Sequence, residues 1–360
     1  MHVYNGYFSF QTNDGSSMQK ILVTGGAGFI GSHTVVELSR EGYHPIIIDN
    51  FSNSHRDALR GIENLVGRNI PFHKVDCTDK AQVQDVIQEH GGVDGVIHFA
   101  AYKAVGESVR YPSRYYHNNI GSLVAVIEAM QASNVQNLVF SSSCTVYGQP
   151  DRLPVTENSP FARANSPYGY TKQVCERILM DQAGAKDNQL SSILLRYFNP
   201  IGAHPSGEIG ELPLGQPENL IPYVTQTAVG ERDSLTVFGN DYDTSDGTCV
   251  RDYIHVVDLA KAHVKALSWL DKRDGCCEAF NLGTGQGKTV LDVINSFEQV
   301  SGEKLNYTLG PRRPGDVEKI YASADRAEQE LNWKCEFDLN DSLRDAWNWQ
   351  KRLEAKKAVM

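Results

Sequence analysis

The stretch Lys20–Gly42, KILVTGGAGFIGSHTVVELSREG, decides the fold. Residues 20–24 read as a short apolar strand, Gly25, Gly28 and Gly31 recur at every third position, and an amphipathic run from Phe29 to Arg40 follows. Strand, tight turn and helix are therefore expected in immediate succession. A side chain in such a turn would keep the backbone away from a ligand. Glycines let a pyrophosphate approach the free N–H groups and positive dipole end of the helix.

Working outward, a second apolar run, HPIII, ends at Asp49, 18 residues beyond Gly31. That is close to the spacing of roughly 20 expected of a carboxylate that accepts from adenosine ribose hydroxyls. Asn50, not arginine, follows it. A 2′-phosphate would be repelled by Asp49 and would need a cation beside it, so the residues point to NAD rather than NADP. The same carboxylate could also serve as a helix N-cap or loop brace.

From residue 20 to about 198, the apolar runs IPFHKVD, VDGVIHFA, NLVFSSS and SSILLRYF alternate with helical stretches near 80–90, 113–133 and 167–184. This rhythm implies right-handed crossovers and a doubly wound parallel sheet of the α/β class, a Rossmann-like nucleotide-binding core. Ligands of such sheets gather at the carboxyl ends of strands. Those ends carry the glycine loop, Asp49, Asp76, Phe99 to Lys103 and Ser141 to Ser143.

After residue 199 the rhythm gives way to long Pro- and Gly-rich segments, read as binding loops on a fixed scaffold. The division expected is an N-terminal extension (1–17), an NAD-binding unit (18–198), a smaller α/β substrate unit (199–350), possibly interleaved with the first, and a tail (351–360). Residues 1–17 have no clear period and are expected to be mobile.

The formal net charge of −10 and the lack of a basic stripe argue against a nucleic acid or an anionic membrane as partner. Local arginines must therefore bind any anionic substrate. No run of 18 apolar residues occurs and residues 1–17 lack the pattern of a signal peptide, so the cytoplasm is the expected compartment. Seven cysteines, odd in number and without a C-x-x-C pair, fit reduced thiols better than a disulfide frame or a metal site.

The chemistry is carried by SPYGYTK, where Tyr168 and Lys172 stand four residues apart on one helical face. A phenol with a pKa near 10 is a poor base at neutral pH unless its phenolate is stabilised, which a neighbouring ammonium can do. Ser143, at a strand end 25 residues before Tyr168, can hydrogen-bond a substrate oxygen and relay a proton. Each residue alone has a structural reading, as cap, surface charge or turn. Together, downstream of the cofactor loop, they point to hydride chemistry on a carbinol.

The set TGGAGFIG, HFAAYKAVGES, FSSSCTVYG, SPYGYTK, RYFNPIGAH, VRDYIHVVDLA and PRRPGD resembles the extended short-chain dehydrogenase/reductase family. Within it the likeness is to the branch that interconverts UDP-glucose and UDP-galactose, and it runs from about residue 19 to 350. The resemblance implies that Gly25, Gly28, Phe29, Ile30 and Gly31 hold the NAD pyrophosphate. It places Asp49 and Asn50 at the adenosine ribose and Asp76 at the adenine, with Cys77 also in the cofactor site. Phe99, Ala100, Ala101, Lys103, Asn118, Phe198 and Lys172 line the rest of the cofactor site.

Ser143 and Tyr168 are the implied proton-handling pair. On the substrate side the resemblance assigns Asn199 to the phosphates, Asn219 and Leu220 to the uridine pocket, Phe238 to the uracil, and Arg251 and Arg313, with Asp316, to the diphosphate. Planar guanidinium donors suit that task. Arg251 could instead pair with Asp252 or Asp258, Phe238 could be core, and Asn219 a turn residue. A homodimer through helices around 85–130 and 167–184 is also implied, though those faces could equally belong to a monomer's core.

Ile320, four residues after Asp316, occupies the position that in the family abuts the sugar. A bulky residue there excludes an N-acetyl group; isoleucine is intermediate. A sister 4,6-dehydratase would carry an Asp–Glu pair after the strand-end hydroxyl residue, where this chain has Cys144 and Thr145. The run LGTGQGKT, 282–289, lacks phosphate-loop spacing and is not expected to bind a nucleotide.

Overall fold

The computed structural model describes residues 18–185, 189–313 and 315–359. The expectation for residues 1–17 lies outside them.

The first half of the chain lays down β1 (Lys20–Thr24), α1 (Phe29–Arg40), β2 (His44–Ile48), α2 (Asp57–Val66), β3 (Phe72–His73), α3 (Lys80–Glu89), β4 (Gly95–His98), α4 (Val105–Arg110), α5 (Pro112–Tyr115), α6 (Gly121–Ala132), β5 (Asn137–Ser141), α7 (Pro167–Ala183) and β6 (Ser191–Tyr197). The second half adds β7 (Asn199–Ile201), α8 (Leu220–Ala228), β8 (Leu235–Phe238), β9 (Val250–His255), α9 (Val256–Leu270), β10 (Cys277–Leu282), β11 (Gly287–Thr289), α10 (Val290–Ser301), β12 (Tyr307–Gly310), β13 (Lys319–Ile320), α11 (Asp325–Leu331) and α12 (Leu339–Val359).

Seven parallel strands form the large sheet, in the order β10-β6-β5-β4-β1-β2-β3. Strands such as Ile21–Val23 and Ile46–Ile48 are buried on both faces, which is why they read as continuous apolar runs rather than alternating ones. Separate apolar clusters lie on the two sides of the sheet. Strand order reverses between β1 and β4, and the crevice outside their carboxyl ends is where a doubly wound sheet takes its ligand.

The seventh strand, β10, comes from beyond residue 199 and pairs with β6. The later segments also build a small sheet in which β7 and β13 pair in parallel with β9 and β11 pairs antiparallel with it. A two-stranded parallel ladder joins β8 to β12. A third apolar cluster, including Val224, Phe297, Leu343 and Trp347, sits under this part.

Three readings need correction. The segments taken as irregular loops contain β7, β9 and β13, whose partners lie far away in sequence and leave no local period. The helix expected at 113–133 is interrupted by a π turn over Tyr116–Ile120, where the Asn119 side chain reaches back to the backbone of Tyr102. Residues 351–359, set apart as a tail, continue α12.

Candidate active site

β1 delivers the chain into Gly25, whose φ of +68° is open to glycine and where a Cβ would meet the Ala100 amide nitrogen at 2.9 Å. At Gly31 a Cβ would lie 2.3 Å from the Gly25 carbonyl oxygen, so the first turn of α1 can pack against the loop only as glycine. Gly28 caps α1 without any side-chain hydrogen bond, leaving the first-turn amides of Phe29, Ile30 and Gly31 without a capping side chain. Such a cradle fits the pyrophosphate of a dinucleotide.

Asp49 is buried beside it. Its Oδ1 accepts from the Phe51 amide at 2.8 Å and the Ser54 hydroxyl at 2.7 Å, while Oδ2 accepts only from the Ala27 amide at 3.1 Å. The carboxylate thus braces the glycine loop and retains capacity for ribose hydroxyls. Asn50 donates from Nδ2 to Asp76 at 3.2 Å. Partial burial raises the Asp76 carboxyl, but hydrogen bonds from Thr78 and Asn50 outweigh it and hold the group below its ordinary value. Burial pushes the adjacent Cys77 thiol up to about 12, so it stays protonated as wall.

The reacting end lies where β5 and α7 meet. Ser166 caps α7, its hydroxyl accepting from the Gly169 amide, and Pro167 occupies the first turn. Tyr168 and Lys172 follow on one buried face. Lys172 donates from Nζ to the Ser141 carbonyl at 2.6 Å, and its ammonium stands 6.0 Å from the Tyr168 ring centroid. Burial pushes its pKa down to about 8.

Burial, reinforced by Tyr197, holds the Tyr168 phenol well above the ordinary tyrosine value, opposed by a hydrogen bond with Ser143. The burial cost of a Tyr168 phenolate thus outweighs the stabilisation its Ser143 hydrogen bond gives. Cys144, next to Ser143, is buried and its thiol is raised to about 12 by that burial.

Opposite, Asp316 gathers the two arginines. Arg313 donates to it from Nε at 3.2 Å and NH2 at 2.9 Å, and Arg251 NH2 lies 3.8 Å away. Arg251 pairs with neither Asp252 nor Asp258, whose described partners are other groups. Asp252 accepts from Thr284, Gly285 and Ala322, and Asp258 from the amides of Glu336 and Phe337. Two amides of the LGTGQGKT run, those of Thr284 and Gly285, are thus spent on a buried carboxylate rather than on a phosphate. Phe238 is 42% exposed, under the Arg313 guanidinium at 5.7 Å, and is not core. Asn219 caps α8, which begins at Leu220.

All of these side chains line one cleft of about 1030 Å³: the glycine loop with Phe29 and Ile30, Asp49, Asn50, Asp76, Cys77, Phe99 to Ala101, Lys103, Asn118, Ser143, Tyr168, Lys172, Phe198, Asn199, Asn219, Leu220, Phe238, Arg251, Arg313, Asp316 and Ile320. That is at the upper end of ligand pockets, roughly 1,000 Å³.

Two participants had no signal in the sequence. Glu211 Oε1 accepts from Lys103 Nζ at 2.8 Å and from Asn219 Nδ2 at 2.6 Å, joining the segment after β4 to the start of α8. Asn119 fixes the Tyr102 backbone and donates to Thr171 Oγ1 on α7.

Residues 21–283 match the NAD dependent epimerase/dehydratase family. The chain is 52% identical over 334 residues to UDP-glucose 4-epimerase 2 of Arabidopsis thaliana, covering 92% of this chain and 95% of that one. It is 51% identical to the UDP-glucose 4-epimerase of Bacillus subtilis, with coverages of 92% and 96%. Among solved structures, UDP-glucose-4-epimerase from Stenotrophomonas maltophila with bound NAD and formylated UDP-arabinopyranose superposes with a TM-score of 0.90 at 46% identity, covering 94% and 99%. The enzyme from Bifidobacterium longum in complex with NAD+ and UDP gives 0.90 at 48% identity, covering 93% and 98%. The chain belongs to the NAD-dependent epimerase/dehydratase family of extended short-chain dehydrogenases/reductases, and within it to the UDP-glucose 4-epimerases.

Proposed function

We propose that the protein interconverts UDP-galactose and UDP-glucose by inverting C4 through a 4-keto sugar, with NAD retained throughout. The observation that carries this reading is the single cleft. It has an anion cradle at the end of β1, paired arginines on Asp316 at the other side, and the Ser143, Tyr168 and Lys172 group between them.

Arg251 and Arg313 hold the diphosphate, with Phe238, Asn219 and Leu220 at the uridine and Asn199 beside the phosphates. The hexose, held only through its nucleotide, is free to present either face of C4. Tyr168 Oη takes the proton of the 4-hydroxyl, Ser143 orients that oxygen, and the same phenol returns the proton after the sugar has turned. When bound, NAD supplies a hydride acceptor that is cationic when oxidised and that gives the hydride back.

Lys172 acts electrostatically. Its ammonium, 6.0 Å from the Tyr168 ring centroid, is close enough for its charge to favour a phenolate over a phenol. This offsets part of the cost of burying the phenolate. Its two remaining N–H donors are available to a cofactor ribose.

The reading extends to a homodimer. Val109, Tyr111, Tyr116, Val124, Tyr170 and Met180 are exposed apolar side chains on α4 to α7, and the Tyr116 and Tyr170 rings meet at 6.2 Å. Exposed apolar side chains of this kind, on neighbouring helices, suit a subunit contact. Light scattering of the purified protein reads its mass directly. A cytoplasmic location agrees with seven free cysteines and with the absence, among the described residues, of a helix long and apolar enough to cross a membrane. Two interleaved units, meeting near residue 198 and sharing the large sheet through β10, agree with the separate apolar cluster under α8, α10 and α12.

The deciding experiment is incubation with UDP-galactose without added NAD and coupled detection of UDP-glucose. Conversion is the expected result. No conversion even with NAD supplied would overturn the reading.

A further inference from the structure

Outside the catalytic cleft, one group of ligating side chains has no part in the chemistry above. His73 lies at the end of β3, the edge strand of the large sheet, and His90 caps the C-terminal end of α3. Their Nε2 atoms approach to 2.9 Å, with ring centroids 5.1 Å apart. Glu89 brings a carboxylate oxygen 3.8 Å from His73 Nδ1, and one ligand atom from each of the three residues falls within 4.8 Å of the others. We propose that His73, His90 and Glu89 form a binding site for a borderline divalent cation, of the zinc or nickel class, on the edge of the large sheet.

Both imidazoles are carried by rigid backbone. His73 is fixed by its pairing with Ile48 and by the Asp49 amide donating to its carbonyl at 3.2 Å; His90 is fixed by its N–H donating to the Val86 carbonyl at 3.3 Å and by Lys20 Nζ donating to the His90 carbonyl at 2.5 Å. Two imidazole nitrogens on one tetrahedral zinc, each at 2.0–2.1 Å, stand about 3.3 Å apart. Metal binding therefore displaces the proton of the Nε2···Nε2 hydrogen bond and opens the pair by a few tenths of an ångström. The carbonyl end of α3 adds partial negative charge, which favours a cation.

Glu89 is 67% exposed and His73 21%. An ion could therefore enter from solvent while water completes its coordination. Lys20 opposes it as a nearby positive charge, so the site should be moderate in affinity rather than a structural zinc centre. Two imidazoles and a carboxylate suit zinc or nickel and do not suit calcium or magnesium, which take oxygen ligands.

The test is titration of the metal-stripped full chain with ZnCl2, NiCl2 and MgCl2 by calorimetry, alongside His73→Ala, His90→Ala and Glu89→Gln. Zinc and nickel are expected to bind with one equivalent, magnesium not to bind, either histidine variant to lose at least about tenfold in affinity, and Glu89→Gln to lose less. Wild-type binding by both histidine variants, or no zinc or nickel uptake by the wild type, would overturn the proposal. If an alanine variant melts early without metal, His90→Gln takes its place. Cobalt then gives a second reading: a visible absorption band of a low-coordinate site in the wild type, lost in His90→Gln, supports the site, and an identical spectrum in both refutes it.

Discussion

Arg196 and Glu176 form a buried ion pair behind the catalytic helix. Nε reaches both carboxylate oxygens, at 3.0 and 3.2 Å, and NH2 reaches Oε2 at 2.7 Å. Ser142 Oγ donates to the same carboxylate, and Arg196 NH1 donates to the Tyr147 hydroxyl at 3.0 Å. Because Glu176 stands one turn beyond Lys172 on α7 and Ser142 precedes Ser143, the pair ties the helix bearing Tyr168 to the strand end bearing Ser143. Removing one partner leaves an uncompensated buried charge. Glu176→Gln should therefore lower stability by roughly 3 kcal/mol, read by urea unfolding, whereas replacing both partners by apolar residues should cost less.

Lys172→Met removes the ammonium near Tyr168. Without it the phenol titrates higher, so the acid limb of the pH–rate profile should move to higher pH, and turnover at pH 7 should fall by about 10² or more. An unmoved profile would remove the electrostatic role of Lys172. Tyr168→Phe, which deletes the proton carrier itself, should fall further still.

Ile320 lies in β13, buried against Cys144, Val146, Phe198 and Ala322, and also lines the cleft. Ile320→Gly should open space at the sugar. Turnover of UDP-N-acetylgalactosamine relative to UDP-galactose should rise by roughly tenfold, the scale of a few methylenes in a pocket. Equal ratios in the two enzymes would show that another wall sets the limit.

Acid should unfold the protein through its buried histidines. Burial lowers the pKa of His33 and His98 to about 3 and of His204 and His263 to about 4. In the unfolded chain they titrate near 6.5, so their neutral folded forms are stable above that pH and lose stability as pH falls from 6.5 toward 4. Each contributes about 1.4 kcal/mol per pH unit there. Burial raises Glu37, Asp252 and Asp258, which works in the opposite sense. Melts at pH 7 and pH 5 should differ by a net uptake of roughly two to four protons on unfolding; a pH-independent melting temperature would contradict it.

The sequence made the local features legible. The strand at 20–24 and the helix at 29–40 fall where the apolar period places them, because buried parallel strands and amphipathic helices repeat their pattern over a few residues. Tyr168 and Lys172 share a face for the same reason, since four residues make about one helical turn. The short strands β7, β9 and β13 were not legible. Each takes its pairing from a partner dozens of residues away; β7 and β13 have only three and two residues, too few for a period, and the six of β9 do not alternate.

What the sequence alone determined was thus the glycine cradle, the helix that carries the phenol and amine, and the alternation of strands and helices that makes a doubly wound parallel sheet. Tertiary structure decided that Asp316 would gather Arg251 and Arg313, that Glu211 would join Lys103 to Asn219, and that Glu176 would meet Arg196. Helical and strand periods relate residues a few positions apart, whereas these charges find one another only once long-range packing has excluded water and fixed the backbones that hold them.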